Sequence, residues 1–128
     1  MTREVLFRGK RIDNGKWIEG NLFVSDTDGR THILVGTRRI TIEWEVDPST
    51  VGQFTGLTDN HGNKIFEGDI VQAHFTTNHS KQIFRVTFDD GMFIFNNGHV
   101  KLPVRGIYGI KVIGNIHDNP DLLEVHND

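Results

Sequence analysis

One segment, residues 55–71, constrains the fold of this chain most, because an earlier segment repeats its pattern. It reads TGLTDNHGNKIFEGDIV, and its second half, KIFEGDIV, matches KWIEGNLF at residues 16–23. The two copies share lysine, glutamate and glycine, and Asn21 stands where Asp69 stands in the second copy. The glycine can supply a bulge or a positive φ, which bends a strand enough to curl a sheet. The repeat therefore predicts two similar curled β units, arising from duplication or from convergence.

Short apolar and β-branched runs between turn residues predict a mainly β chain. The predicted strands are residues 4–9, 16–25, 30–35, 39–46, 64–76 (interrupted at 67–69), 82–88, 92–96 and 107–116. Asp89-Asp90-Gly91 predicts a tight hairpin. An Asp-Pro pair and an Asn-Pro pair predict single helical turns over residues 48–53 and 120–125.

Two of these strands carry a prediction about burial. Residues 39–46 alternate strictly, with four apolar side chains on one face and polar ones on the other, which predicts one buried and one wet face. The apolar set is Ile40, Ile42, Trp44 and Val46. Residues 16–25 have apolar side chains on both faces, so we expect this strand to be covered on both sides.

Three blocks of the chain resemble the YopX family, small proteins found largely in bacteriophages and prophages. They are EVLFRGKRIDNGKWIEG at 4–20, VDPSTVGQFTGLTDNHGNKIFEGDIV at 46–71 and VIGNIHDNPDLL at 112–123. The resemblance implies a β-rich fold whose second part is an SH3-like barrel, and a phage or prophage origin. It implies no activity and no catalytic residues. We therefore predict an N-terminal β unit at 1–51 and an SH3-like barrel unit with a C-terminal tail at 52–128.

Composition excludes several classes of protein. The absence of cysteine excludes a disulfide framework, a thiolate zinc site and a cysteine nucleophile. No apolar run reaches the roughly 20 residues that span a bilayer, and no signal peptide is visible. We therefore expect the cytoplasm of a bacterial host and no membrane partner. The net charge of −3 argues against a protein that coats nucleic acid by charge alone.

Basic residues near aromatic ones nevertheless suggest a nucleic-acid surface, because small β barrels bind strands through such groups. Phe7 and Trp17 are the aromatic candidates. The basic candidates are Arg8, Lys10, Arg11, Lys16, Arg38 and Arg39. In the alternative interpretation the two aromatic rings pack in the core and the basic side chains are solvated.

Histidines offer a metal hypothesis. His74 and His79 flank a predicted loop and His99 lies in the next connection, so the three, with Asp69, would form an imidazole and carboxylate site at one barrel end. Scattered, solvated loop histidines are the alternative. No cofactor is indicated.

Partner binding and catalysis remain as function classes. Tyr108 beside Phe84, Phe93 or Phe95 would line a peptide groove, unless these rings are core. Open strand edges, a basic N-terminal segment and an acidic C-terminal one suit self-association. The paired carboxylates, Glu67 with Asp69 and Asp89 with Asp90, lie at turns, where such groups cap backbone amides.

The sequence therefore predicts a non-enzymatic phage or prophage accessory module that binds a macromolecule, with a protein partner or a second copy ahead of nucleic acid. The first alternative is a nucleic-acid-binding small β barrel. The second is a metal-dependent or carboxylate-based hydrolase, for which we assign no catalytic residue.

Overall fold

Residues 4–37 and 39–125 are described by the computed structural model, and in them eleven β-strands form two antiparallel sheets. The mainly β prediction is therefore confirmed. The strands are β1 (Phe7–Lys10), β2 (Trp17–Val24), β3 (Thr31–Gly36), β4 (Thr41–Glu45), β5 (Gly52–Thr58), β6 (Lys64–Phe66), β7 (Asp69–Phe75), β8 (Lys81–Asp89), β9 (Met92–Asn96), β10 (Lys101–Leu102) and β11 (Ile107–Asn115). Contacts divide the chain into two units, Met1–Gly56 and Leu57–Asp128.

The first sheet has the strand order β4-β3-β2-β1-β5-β6. In the first unit, β2 pairs with β1 along its first half and with β3 along its second half. The sheet also curls, because the chain just after β1 reaches the end of β4. There Arg11 bridges Val46, and the Ile12 N–H donates to the Glu45 carbonyl at 3.0 Å.

The repeated Glu-Gly pair has a different role in each copy. Gly68 has a φ of 92° and separates β6 from β7, and the buried Asp69 carboxylate accepts from the Phe66 N–H at 2.7 Å across this bend. Gly20 instead lies inside the continuous strand β2. A Cβ there would lie 2.2 Å from the Leu34 carbonyl oxygen. Close backbone approach, not a kink, therefore requires glycine in the first copy.

Both predicted helical turns are present. Pro48–Thr50 forms a 3-10 turn, and the Asp47 side chain accepts from the Ser49 N–H as its N-cap. It is shorter than predicted because β5, which the sequence did not indicate, begins at Gly52. The second turn is helix α1 (Asp121–Val125). A further 3-10 turn, Val104–Gly106, was not predicted.

The second unit contains a five-stranded antiparallel sheet in the order β10-β9-β8-β7-β11. Asp90 and Gly91 join β8 to β9 with φ values of 51° and 76°, as a two-residue hairpin with two positive φ angles requires, so the predicted hairpin is confirmed. One core cluster packs on one face of this sheet and consists of Ile65, Val71, Ala73, Phe84, Val86, Phe95, Ile107 and Ile110. The opposite face also carries buried apolar side chains, those of Ile70, Ile83 and Ile94. Closure into an SH3-like barrel stays a prediction.

The two predictions about burial in the first unit were wrong in part. The apolar alternation of residues 39–46 is present, but Ile40 and Ile42 are exposed and Val46 alone of the four is fully buried. The second half of β2 is exposed on both faces, not covered on both sides. Burial along this face instead follows the contact of the chain after β1 with the end of β4. Val46, which Arg11 bridges, is buried, whereas Ile40 and Ile42, farther from that bridge, are exposed.

Candidate functional site

The apolar face of the β2–β3–β4 sheet is the most distinctive surface of the first unit. The strand register places Leu22 opposite Ile33, and Ile33 opposite Trp44. Directly paired residues project from the same face, so alternation also places Val24 and Ile42 on it. Ile33 in the centre is fully buried, whereas Leu22, Ile42 and Val24 are 38, 48 and 53% exposed. We refer to these three exposed residues as the apolar rim.

Arg11 covers part of the same face. Its guanidinium carbon lies 3.6 Å from the centre of the Trp44 ring, within cation–π range. Two of its nitrogens also donate to the Asp13 carboxylate, at 2.9 and 2.6 Å, and this hydrogen bonding lowers the pKa of Asp13. Arg11 is therefore held by a ring and a carboxylate, which shields Trp44 but not the apolar rim.

Of the six basic residues proposed for nucleic acid, the five that the structure describes do not share one face. Arg8 and Lys10 lie on the same side of β1 and both contact the Trp17 ring, at 4.7 and 5.5 Å from its centre. Arg11, one residue further, projects to the opposite side. Lys16 and Arg39 are exposed in connections between strands, and Arg38 lies outside the described residues. The structure therefore groups Arg8 and Lys10 around Trp17 and separates them from Arg11.

Two of the three candidate metal ligands meet around Tyr108. The His74 ring stacks on the Tyr108 ring, with centres 5.1 Å apart, and His79 Nδ1 lies 3.0 Å from the Tyr108 hydroxyl oxygen. His99 follows β9 on the way to β10, at the other end of the strand order from β11. In the part of the chain that the structure describes, no group of three metal-ligating side chains could hold an ion.

The peptide groove suggested by aromatic residues does not form as expected. Phe84 and Phe95 are buried in the core and contact each other edge to face. Tyr108 is exposed but faces the two histidines. The His-Tyr-His contact was missed in the sequence because β7 and β11, which carry His74 and Tyr108, are far apart in the chain.

Asp59 is a further residue that sequence reasoning missed. Its carboxylate accepts from the backbone N–H groups of His61, Asn63 and Val112, each at 2.9 Å, and from the Asn63 side chain at 3.2 Å. Desolvation raises the pKa of Asp59, but these hydrogen bonds lower it more, to about 2. Asp59 thus anchors the turn that precedes β6 to strand β11. The turn residues in TDNHGN were the available signal.

These features define a small, mainly β protein with two antiparallel sheets. Residues 6–124 match the family model described as "YopX protein". The chain therefore belongs to the YopX family.

Among solved structures, the crystal structure of protein EF1440 from Enterococcus faecalis is similar. The two chains are 25% identical, with a TM-score of 0.60, and the match covers 95% of this chain and 99% of that one. No curated protein matches the chain. Within the described residues, none of the helices has the length and apolar character needed to cross a membrane.

Proposed function

We propose that this protein is a non-enzymatic binding module that associates with a second copy of itself through the apolar rim. The observation that carries the proposal is the exposure of Leu22, Val24 and Ile42 on a single face of the sheet. Isolated exposed apolar side chains are common, but several on one sheet face favour an interaction surface.

The edge of the sheet supports the same proposal. β4 is the terminal strand in the order of the first sheet. In the described residues, a second backbone pairing occurs only next to its end, where Arg11 bridges Val46. Among the described residues, no strand therefore pairs with one side of the backbone of residues 41–44. A β edge with exposed apolar side chains is a template for pairing with another chain.

Charge favours a second copy as the occupant. Residues 1–56 contain as many basic as acidic side chains, so this unit has no net charge to repel an identical unit. Glu43 and Glu45 lie on the face of β4 opposite Ile42. Two copies can therefore bring their apolar rims together without burying these carboxylates.

The test is the molar mass by light scattering over about 1 µM to 1 mM protein. We expect the mass of the unmodified protein to rise with concentration, and Ile42→Lys to abolish the rise because a lysine on the edge opposes strand pairing. Met92→Lys is the matched control, since Met92 is 49% exposed but lies in the second unit. A constant monomer mass, or equal effects of both substitutions, would overturn the proposal.

Membership in the YopX family supports the wider proposal of a phage or prophage accessory role in the bacterial cytoplasm. It is tested by isolating the protein from its own host during phage growth and identifying what co-purifies. We expect the protein to be recovered mainly as an assembly of its own copies. Recovery in the host membrane or culture medium would contradict the cytoplasmic assignment.

Nucleic-acid binding is the second candidate, and the contact of Arg8 and Lys10 with Trp17 favours it. If this function is correct, fluorescence anisotropy at low salt detects binding to single-stranded DNA or RNA, and Arg8→Gln with Lys10→Gln weakens it. No binding under these conditions would eliminate this candidate.

A further inference from the structure

Four of the six residues that line a groove in the second unit have side chains that can donate hydrogen bonds. Its volume is about 450 Å³, within the size range of small-molecule sites, and its lining residues are Arg85, Asn96, Asn97, Gly98, Lys101 and Leu123. Arg85 on β8 is paired with Asn96 on β9, which is paired in turn with Lys101 on β10. Paired residues share a face, so these three side chains project from the sheet side by side.

The two asparagines have fixed amide orientations. The Asn96 side-chain oxygen accepts from the Gly98 N–H at 2.8 Å, and the Asn97 oxygen accepts from the N–H groups of His99 and Val100 at 2.9 and 2.8 Å. Because each oxygen is used by the turn, each side-chain nitrogen remains available as a donor. The turn thus supplies two amide donors to the groove.

The two cations of the groove are accessible. The Arg85 side chain is exposed to solvent on β8. Lys101 pairs with Asp89 at 3.2 Å, but both side chains are largely in solvent, where such a pair contributes little. Lys101 can therefore exchange this partner for a bound anion. Leu123 of α1 adds an apolar wall.

We propose that this Arg85 groove binds a small organic oxyanion, a phosphate or carboxylate group attached to an apolar body. An oxyanion only accepts hydrogen bonds, which complements two cations and two amide donors. The Arg85 guanidinium can bind either group through two parallel hydrogen bonds, and Leu123 would contact the body.

The test is a titration of the full chain, followed by amide NMR shifts, with phenyl phosphate, benzoate and neutral benzyl alcohol at low salt. We expect saturable shifts at the Gly98 backbone amide and at the Asn96 and Asn97 side-chain amides, with a Kd of roughly 1 mM for an anion of this size. The tighter of the two anions identifies the group that the groove prefers, and benzyl alcohol should not bind.

Substitutions separate this site from general charge effects. Arg85→Gln should weaken binding about tenfold, because it removes hydrogen bonds from a charged donor. Asp89→Asn should strengthen binding about threefold by releasing Lys101, a gain that mere structural damage would not produce. Arg105→Gln, an exposed arginine outside the groove, is the matched control and should leave the affinity unchanged.

Three results would overturn the proposal. One is the absence of saturable binding of either anion, and another is equal binding of benzyl alcohol. The third is an equal loss of affinity in Arg85→Gln and Arg105→Gln. If Arg85→Gln does not give a folded spectrum, Asp89→Asn decides, because unchanged or weaker binding in that variant also contradicts the assigned role of Lys101.

Discussion

Asp59 connects two parts of the second unit through one carboxylate. Its Oδ1 accepts from the His61 and Asn63 N–H groups inside the turn, and its Oδ2 accepts from Val112 on β11. These contacts keep the turn before β6 against a strand that lies 53 residues away in the chain. A single side chain therefore carries a long-range connection that no apolar pattern would indicate.

We predict that Asp59→Asn destabilises the protein by about 2–3 kcal/mol, since an amide nitrogen in place of Oδ2 would face the Val112 N–H without an acceptor. Urea unfolding at neutral pH is the measurement. Asp28→Asn is the matched control, because Asp28 also accepts a turn N–H, from Arg30, but is exposed. A loss no greater than that of the control would contradict the role assigned to Asp59.

The low pKa of Asp59 predicts a pH dependence. The carboxylate is stabilised in the folded chain, with a pKa of about 2 against an ordinary value of 3.8. Its contribution to stability is therefore complete above the ordinary value and is lost as the pH falls from there towards about 2. Urea unfolding of the unmodified protein and of Asp59→Asn should be compared between pH 6 and pH 2. The difference between their free energies of unfolding should shrink as the pH falls from 3.8 towards about 2. A difference that stays constant would refute this account.

At the scale of elements, most strands could be predicted from the sequence, except β5 and β10, whereas the burial of their faces could not. Alternation along residues 39–46 identified the apolar face of β4, because side-chain direction has a period of two in any strand. Which part of that face is buried depends on where the chain after β1 meets β4, a contact that is remote in sequence. β5 was missed for a local reason, since its sequence GQFTGLT has two glycines and no clear alternation.

We predict that the same substitution has different costs along the apolar face. Ile33→Ala should cost about 2–5 kcal/mol, as expected for a fully buried isoleucine, whereas Ile42→Ala should cost less than about 1 kcal/mol. Urea unfolding at low protein concentration measures both free energies while limiting self-association. Equal losses would show that Ile42 is as well covered as Ile33.

For the whole molecule, the possible binding surfaces depend on strand order more than on motifs. The family blocks identified the fold class and the bend at Gly68, but not the kink expected at Gly20, which lies inside the continuous strand β2. Arg11 is separated from Arg8 and Lys10 because adjacent residues of a strand project to opposite faces. The Arg85 groove depends likewise on the register of three strands, and the apolar rim on the curl of the first sheet. Single-sequence patterns carry none of these long-range relations.

The central claim is that the apolar rim is the surface through which two copies meet. Because the chain has no cysteine, Ile42→Cys and the control Met92→Cys each place one thiol at a chosen surface. A short bismaleimide cross-linker, followed by mass spectrometry, then reports whether the two equivalent positions meet. The account predicts covalent dimers for Ile42→Cys and few for Met92→Cys. Equal or absent cross-linking at the two positions would contradict it.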